Sequence, residues 1–90
     1  MSSSNKSILA PVPVVRGGNI CLYPDKSISG SQWDVFNLMG ESQASLSFSS
    51  GYNECWDTSN VGPGVYAVRV KENYTDGTSA TFWQKVLVTP

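Results

Sequence analysis

The sequence predicts an all-β domain built from two stacked antiparallel layers. Three observations carry that reading. First, Val61-Gly62-Pro63-Gly64 feeds straight into Val65-Tyr66-Ala67-Val68-Arg69-Val70. There Tyr66, Val68 and Val70 fall on one face and Val65, Ala67, Arg69 and Lys71 on the other, the period-two signature of a half-buried strand. Second, turn signals recur at roughly 8–12 residues along the chain, the spacing of sandwich strands. Third, no stretch shows the 3.6-residue apolar period of a helix. Together they give a seven-stranded antiparallel immunoglobulin-like β-sandwich.

Taken in order, residues 1–7 are a flexible polar tail, and residues 8–90 form one domain. Residues 8–15 contain Pro11 and Pro13, which bias their predecessors toward extended geometry and cannot donate to a ladder, so an edge strand is expected. Arg16-Gly17-Gly18-Asn19 turns, and residues 20–23 form a short strand with Ile20 and Leu22 on one face. A turn is expected at Ser29-Gly30-Ser31, then a strand over 32–38 with Trp33 and Val35 inward and Asp34 outward. Residues 44–49 set Ala44, Leu46 and Phe48 against serines, a half-buried strand. A return strand over 52–56 leads to Asp57-Thr58-Ser59-Asn60, a loop where Asp57 caps nearby backbone.

The strand after Gly64 runs to about Glu72. Gly64 supplies a backbone angle closed to other residues, and Tyr66, entering the core at this structural corner, needs a backbone partner for its hydroxyl. Asp76-Gly77 marks a hairpin. Residues 78–89 close the fold, with Phe82, Val86 and Val88 inward.

Composition restricts the function. Ninety residues with 40% hydrophobic and 14% charged side chains suit one small globular domain. A net charge of −1 with two arginines gives no cationic patch for nucleic acid or for an anionic membrane surface. No apolar run reaches the ~20 residues of a membrane span, so no membrane insertion is expected. High Ser, Thr, Asn and Gly content favours an extracellular domain carried as part of a longer secreted protein.

Four motifs in order resemble a known group. Pro11-Val12-Pro13-Val14-Val15-Arg16-Gly17-Gly18-Asn19 resembles the entry segment of bacterial Ig-like C-terminal domains. Trp33-Asp34-Val35-Phe36-Asn37-Leu38-Met39-Gly40-Glu41 resembles their central strand and turn. Trp56-Asp57 with Gly62-Pro63-Gly64-Val65-Tyr66, and Lys85-Val86-Leu87-Val88, resemble their last two blocks. The group includes the Ig-like domain of the flagellar hook-capping protein and C-terminal sorting domains of type IX secretion. The resemblance implies a non-catalytic spacer, assembly surface or sorting tag on a bacterial cell surface.

Cys21 faces away from Ile20 and Leu22, and Cys55 away from Trp56. If their strands are neighbours, both sulfurs emerge on one outer face within disulfide reach, and a disulfide is expected over two free thiols. Without histidine the chain lacks the usual general base, and its seven carboxylates are scattered. No catalytic residue, cofactor or metal site is expected. Trp83, Lys85 and Leu87 should point outward from the last strand. With Tyr23 and Cys21 they are expected to form one apolar outer patch. The partner expected there is a protein or a neighbouring domain of the parent chain. A polysaccharide stacking on exposed aromatics is the alternative, in a small carbohydrate-binding module of a secreted enzyme. A third expectation is a filament subunit whose N-terminal strand pairs with a neighbour's sheet edge.

Overall fold

The computed structural model describes residues 7–49 and 54–90. Eight strands occur among them: β1 Ile8–Ala10, β2 Val14–Val15, β3 Asn19–Tyr23, β4 Ile28–Phe36, β5 Ser42–Phe48, β6 Cys55–Asp57, β7 Gly64–Tyr74 and β8 Ser79–Thr89. A single 3-10 turn, Thr58–Asn60, follows β6. The strands form a three-stranded sheet in the order β1-β3-β6 and a five-stranded sheet in the order β2-β8-β7-β4-β5. The all-β sandwich is therefore observed, with one strand more than the expected seven.

The extra strand comes from the prolines. Residues 8–15 are not one edge strand, because Pro11 and Pro13 interrupt the ladder and the chain changes sheets between them. β1 pairs antiparallel with β3, whereas β2 pairs parallel with β8, so the sandwich is antiparallel with one parallel exception. Both halves do lie at sheet edges, as the prolines required.

The core sits between the sheets. Leu9, Ile20, Leu22 and Trp56 from one layer meet Trp33, Val35, Tyr66, Val68, Val70, Val86 and Val88 from the other in one buried cluster. Alternation placed these side chains correctly in β4, β7 and β8. The corner is also as expected. Gly64 sits at φ 153°, and the Tyr66 hydroxyl donates to the Gly62 carbonyl at 2.6 Å, so the ring enters the core with its polar tip satisfied. Asp57 caps the 3-10 turn by accepting from the Ser59 amide at 2.8 Å.

Three expectations need correction or limit. Ser29-Gly30-Ser31 is strand, not turn. The missing Cβ of Gly30 admits the Phe48 carbonyl, which any side chain there would strike, and Ser31 is buried against the neighbouring strands. β7 continues two residues past Glu72, to Tyr74. The polar tail apart from Ser7, and positions 52 and 53 of the expected return strand, lie outside the described residues; its described part is β6.

Gln84 is a cross-layer clamp that the sequence did not announce. It faces inward on β8, accepts from the Leu9 amide and donates to the Leu9 carbonyl, both at 2.9 Å. One side chain thereby satisfies the backbone of β1 across the sandwich and sets β1 over β8.

Candidate functional site

The outward side of the five-stranded sheet is built by register. Arg69 of β7 lies opposite Asp34 of β4 on one flank and Trp83 of β8 on the other. The next row brings Phe36, Ala67 and Lys85 into line, and the row beyond pairs Val65 with Leu87. Because successive side chains alternate, all these groups emerge on the face opposite the core.

Within this face the groups are ordered. The Asp34 carboxylate accepts from Arg69 at 2.8 Å and from the Ser45 hydroxyl at 3.1 Å. The Arg69 hydrogen bond is the chief reason the Asp34 pKa is lowered. That pair aims the guanidinium over both the Phe36 and Trp83 rings, each 5.6 Å from its centroid. The two rings lie 5.7 Å apart and tilted by 32°. Trp83 nevertheless remains 58% exposed, with Val65 and Leu87 each 39% exposed beside it. A shallow depression of about 340 Å³ lined by Gln32, Asp34, Arg69, Lys71 and Thr81 adjoins it.

The expected outer patch does not form as one surface. Trp83, Lys85 and Leu87 share the outer side of the five-stranded sheet. Cys21 and Tyr23 lie on the outer side of the three-stranded sheet, opposite the buried Ile20 and Leu22. Alternation assigned each residue to the correct side of its own strand, but it does not say which sheet a strand joins. Phe36, Arg69 and Asp34 were missed as partners of Trp83. Their outward phase was readable, and the β4-β7-β8 order that gathers them was not.

Cys21 and Cys55 are direct register partners on β3 and β6 and form a disulfide, with Cα atoms 4.0 Å apart. The bond closes a loop of sequence separation 34 and ties the two strands that flank the Trp56 side of the core.

A second cluster is buried. Glu54 and Glu72 are each 2% exposed, and one oxygen of each lacks a hydrogen-bond partner. The other Glu54 oxygen accepts from Ser31, whose hydroxyl accepts in turn from Trp33 Nε1 at 2.9 Å. Glu72 accepts from Tyr74 at 2.8 Å. Burial is the main cause raising the Glu54 pKa; the Ser31 bond opposes it and the Glu72 charge adds to it. The Tyr74 hydroxyl is pushed up to about 12, by burial first and then by Glu72. Among the described residues, no group of three or more His, Cys, Asp or Glu is placed to hold a metal ion.

A raised Glu54 pKa means the folded domain holds that proton more tightly than the unfolded chain does. The associated stability is complete below the ordinary carboxyl value of 4.5 and is lost as pH rises through the raised folded value. Glu54→Gln, which is neutral at every pH, should flatten this dependence. Thermal melts from acid to neutral pH should show the parent's Tm falling as pH rises through the raised value while the variant's stays level, so that the variant's advantage is largest at pH 7.

No family model matches the chain, and no curated protein matches it. Among solved structures, the chain is similar to CopC from Methylosinus trichosporium OB3b. The likeness has a TM-score of 0.65 at 13% identity, and covers 93% of this chain and 94% of that one. At that identity the likeness is one of fold.

Proposed function

We propose that the chain is a non-catalytic Ig-like accessory domain at the C-terminal end of a secreted or surface bacterial protein. It acts in sorting, anchoring or assembly through protein contacts on the outer face of the five-stranded sheet. The observation that carries this reading is the Trp83 platform: an indole 58% exposed, backed by Phe36, overlaid by Arg69 and flanked by two more exposed aliphatics. Aromatic and arginine side chains on an ordered, partly apolar face are the composition of a protein interface core. The Cys21–Cys55 disulfide fits an oxidising, extracytoplasmic compartment. The motif order, which resembles that of hook-capping and type IX sorting domains, supports the same reading.

A small carbohydrate-binding module is the second reading. It is favoured by the polar depression beside Trp83, where an amide, a carboxylate, a guanidinium, an ammonium and a hydroxyl converge. The filament reading loses support, because β1 and β2 are paired within their own chain.

The test fuses the domain to a reporter exported by the bacterium that encodes it. Trp83→Ala with Leu87→Ala should cut surface retention at least tenfold, equivalent to ~1.4 kcal/mol of contact energy, while the isolated domain's Tm stays within a few degrees. Unchanged retention defeats the first reading. Retention of the isolated domain on an insoluble polysaccharide, lost with the same substitutions, would establish the second.

A further inference from the structure

The register of the five-stranded sheet gathers charge that lies scattered along the chain. Arg69, Lys71 and Lys85, three of the six cations, all emerge on its outer side. Among the residues that β4, β5, β7 and β8 turn outward, Asp34 is the one carboxylate. A chain of net charge −1 therefore carries a surplus of two cationic side chains on this face. The surplus is not neutralised within the protein. Every other described cation is engaged: Arg16 donates to the Val61 and Ser59 carbonyls, Lys26 pairs with Asp76, and Arg69 pairs with Asp34. Lys71 and Lys85 are exposed, and among the described residues neither meets a carboxylate or another acceptor.

The ladder fixes where these two cations stand. Lys71 lies opposite Thr81, and Lys85 opposite Ala67. They are therefore four residues apart along the strands, roughly 14 Å at about 3.4 Å per residue. Trp83 stands midway between those two levels on β8, and Leu87 with Val65 continues the apolar surface past Lys85. An extended peptide returns its side chains to one face at every second residue. Acid, apolar and acid at such alternate positions set the carboxylates at the spacing of the lysines and the apolar side chain over the indole.

We propose that the Trp83 face takes an acidic, extended segment of a partner protein in which two carboxylates bracket one apolar side chain. The proposal rests on the protein-contact reading above and adds the partner's chemistry to it. Lys71 and Lys85 each receive a carboxylate, and Trp83 receives the apolar group between them. Complementary charge on the two sides steers the encounter and fixes the register of the segment. Two unengaged cations are too few to hold a nucleic-acid backbone. Val65 and Leu87 present aliphatic surface, which an apolar side chain covers better than the hydroxyls of a sugar do.

The test titrates the isotope-labelled full chain, followed by NMR, with a threonine peptide bearing glutamate, leucine and glutamate at alternate positions. A Kd on the order of 0.1–1 mM is expected, with shifts centred on the amides around Trp83. The same peptide with glutamines should bind about three- to tenfold more weakly, the loss that two exposed ion pairs bring. Lys71→Glu with Lys85→Glu, both at exposed positions, should lose the glutamate peptide and gain its lysine counterpart. Equal binding of the glutamate and glutamine peptides, binding of neither, or tighter binding of oligogalacturonate overturns the proposal. The reporter-retention assay separates this failure from that of the underlying reading. Loss of retention with the lysine pair as well as with Trp83→Ala and Leu87→Ala is expected. Retention lost with the second pair alone overturns the acidic partner and leaves the protein contact; retention kept by both variants overturns both.

Discussion

Trp33→Ala is expected to remove a large part of the domain's stability and to move its unfolding midpoint far below the parent's. Trp33 is fully buried at 0% exposure and lies 5.6 Å from the Phe48 ring. Truncating a core tryptophan costs about 3–5 kcal/mol through lost transfer energy and the cavity left behind. Total stability in a domain this small is on the order of 5–10 kcal/mol. The substitution also removes the Nε1 donor from Ser31, and Ser31 is the group that bonds one of the two Glu54 oxygens. Trp33→Phe separates the two effects, keeping most of the apolar volume and losing the hydrogen bond, for about 1–2 kcal/mol. Urea unfolding followed by far-ultraviolet circular dichroism measures both variants. An alanine variant within 1 kcal/mol of the parent would mean that Trp33 is not in the core.

Replacing Cys21 and Cys55 together with serine should cost nearly as much. Closing a loop of sequence separation 34 stabilises by roughly 3–4 kcal/mol in the chain-entropy model. With a urea slope near 1–2 kcal/mol per molar for a chain of this size, the midpoint should fall by about 1.5–4 M. The oxidised parent treated with a thiol reductant should shift to the same midpoint. Both cysteines are half-buried, so the serine hydroxyls reach water and add little penalty of their own. A midpoint unchanged by reduction would show that β3 and β6 are held by their ladder alone.

The parts of the fold that could be read from the residues are those in which a local pattern coincides with a global constraint. The strand after Gly64 is one, since its period of two, its corner and the inward Tyr66 all state the same geometry. The cysteine pair is another, because outward phase on two short strands left one plausible partner for each. Residues 29–31 failed for the opposite reason. Gly30 and Ser31 have turn composition, yet one serves the close passage of Phe48 and the other bridges Trp33 to Glu54. Both roles depend on residues distant in sequence. Glu72 shares the inward phase of Tyr66, Val68 and Val70, but a carboxylate at a strand end suggests solvent, and only the packed structure reveals it as buried.

The proposed contact surface was half legible for a related reason. Outward phase identified Trp83, Lys85 and Leu87, and it equally identified Tyr23. Sheet membership then divides them, giving Trp83 the company of Phe36 and Arg69 and leaving Tyr23 exposed on the other layer. Among the described residues each face carries one exposed aromatic, which makes the assignment directly testable.

Hydroxyl-radical footprinting of the domain, free and within the proposed surface assembly, makes that comparison residue by residue. Oxidation of Trp83 and Leu87 is predicted to fall on assembly while that of Tyr23 stays at its free level. Protection of Tyr23 with Trp83 still fully reactive would place the partner on the three-stranded sheet and contradict the account.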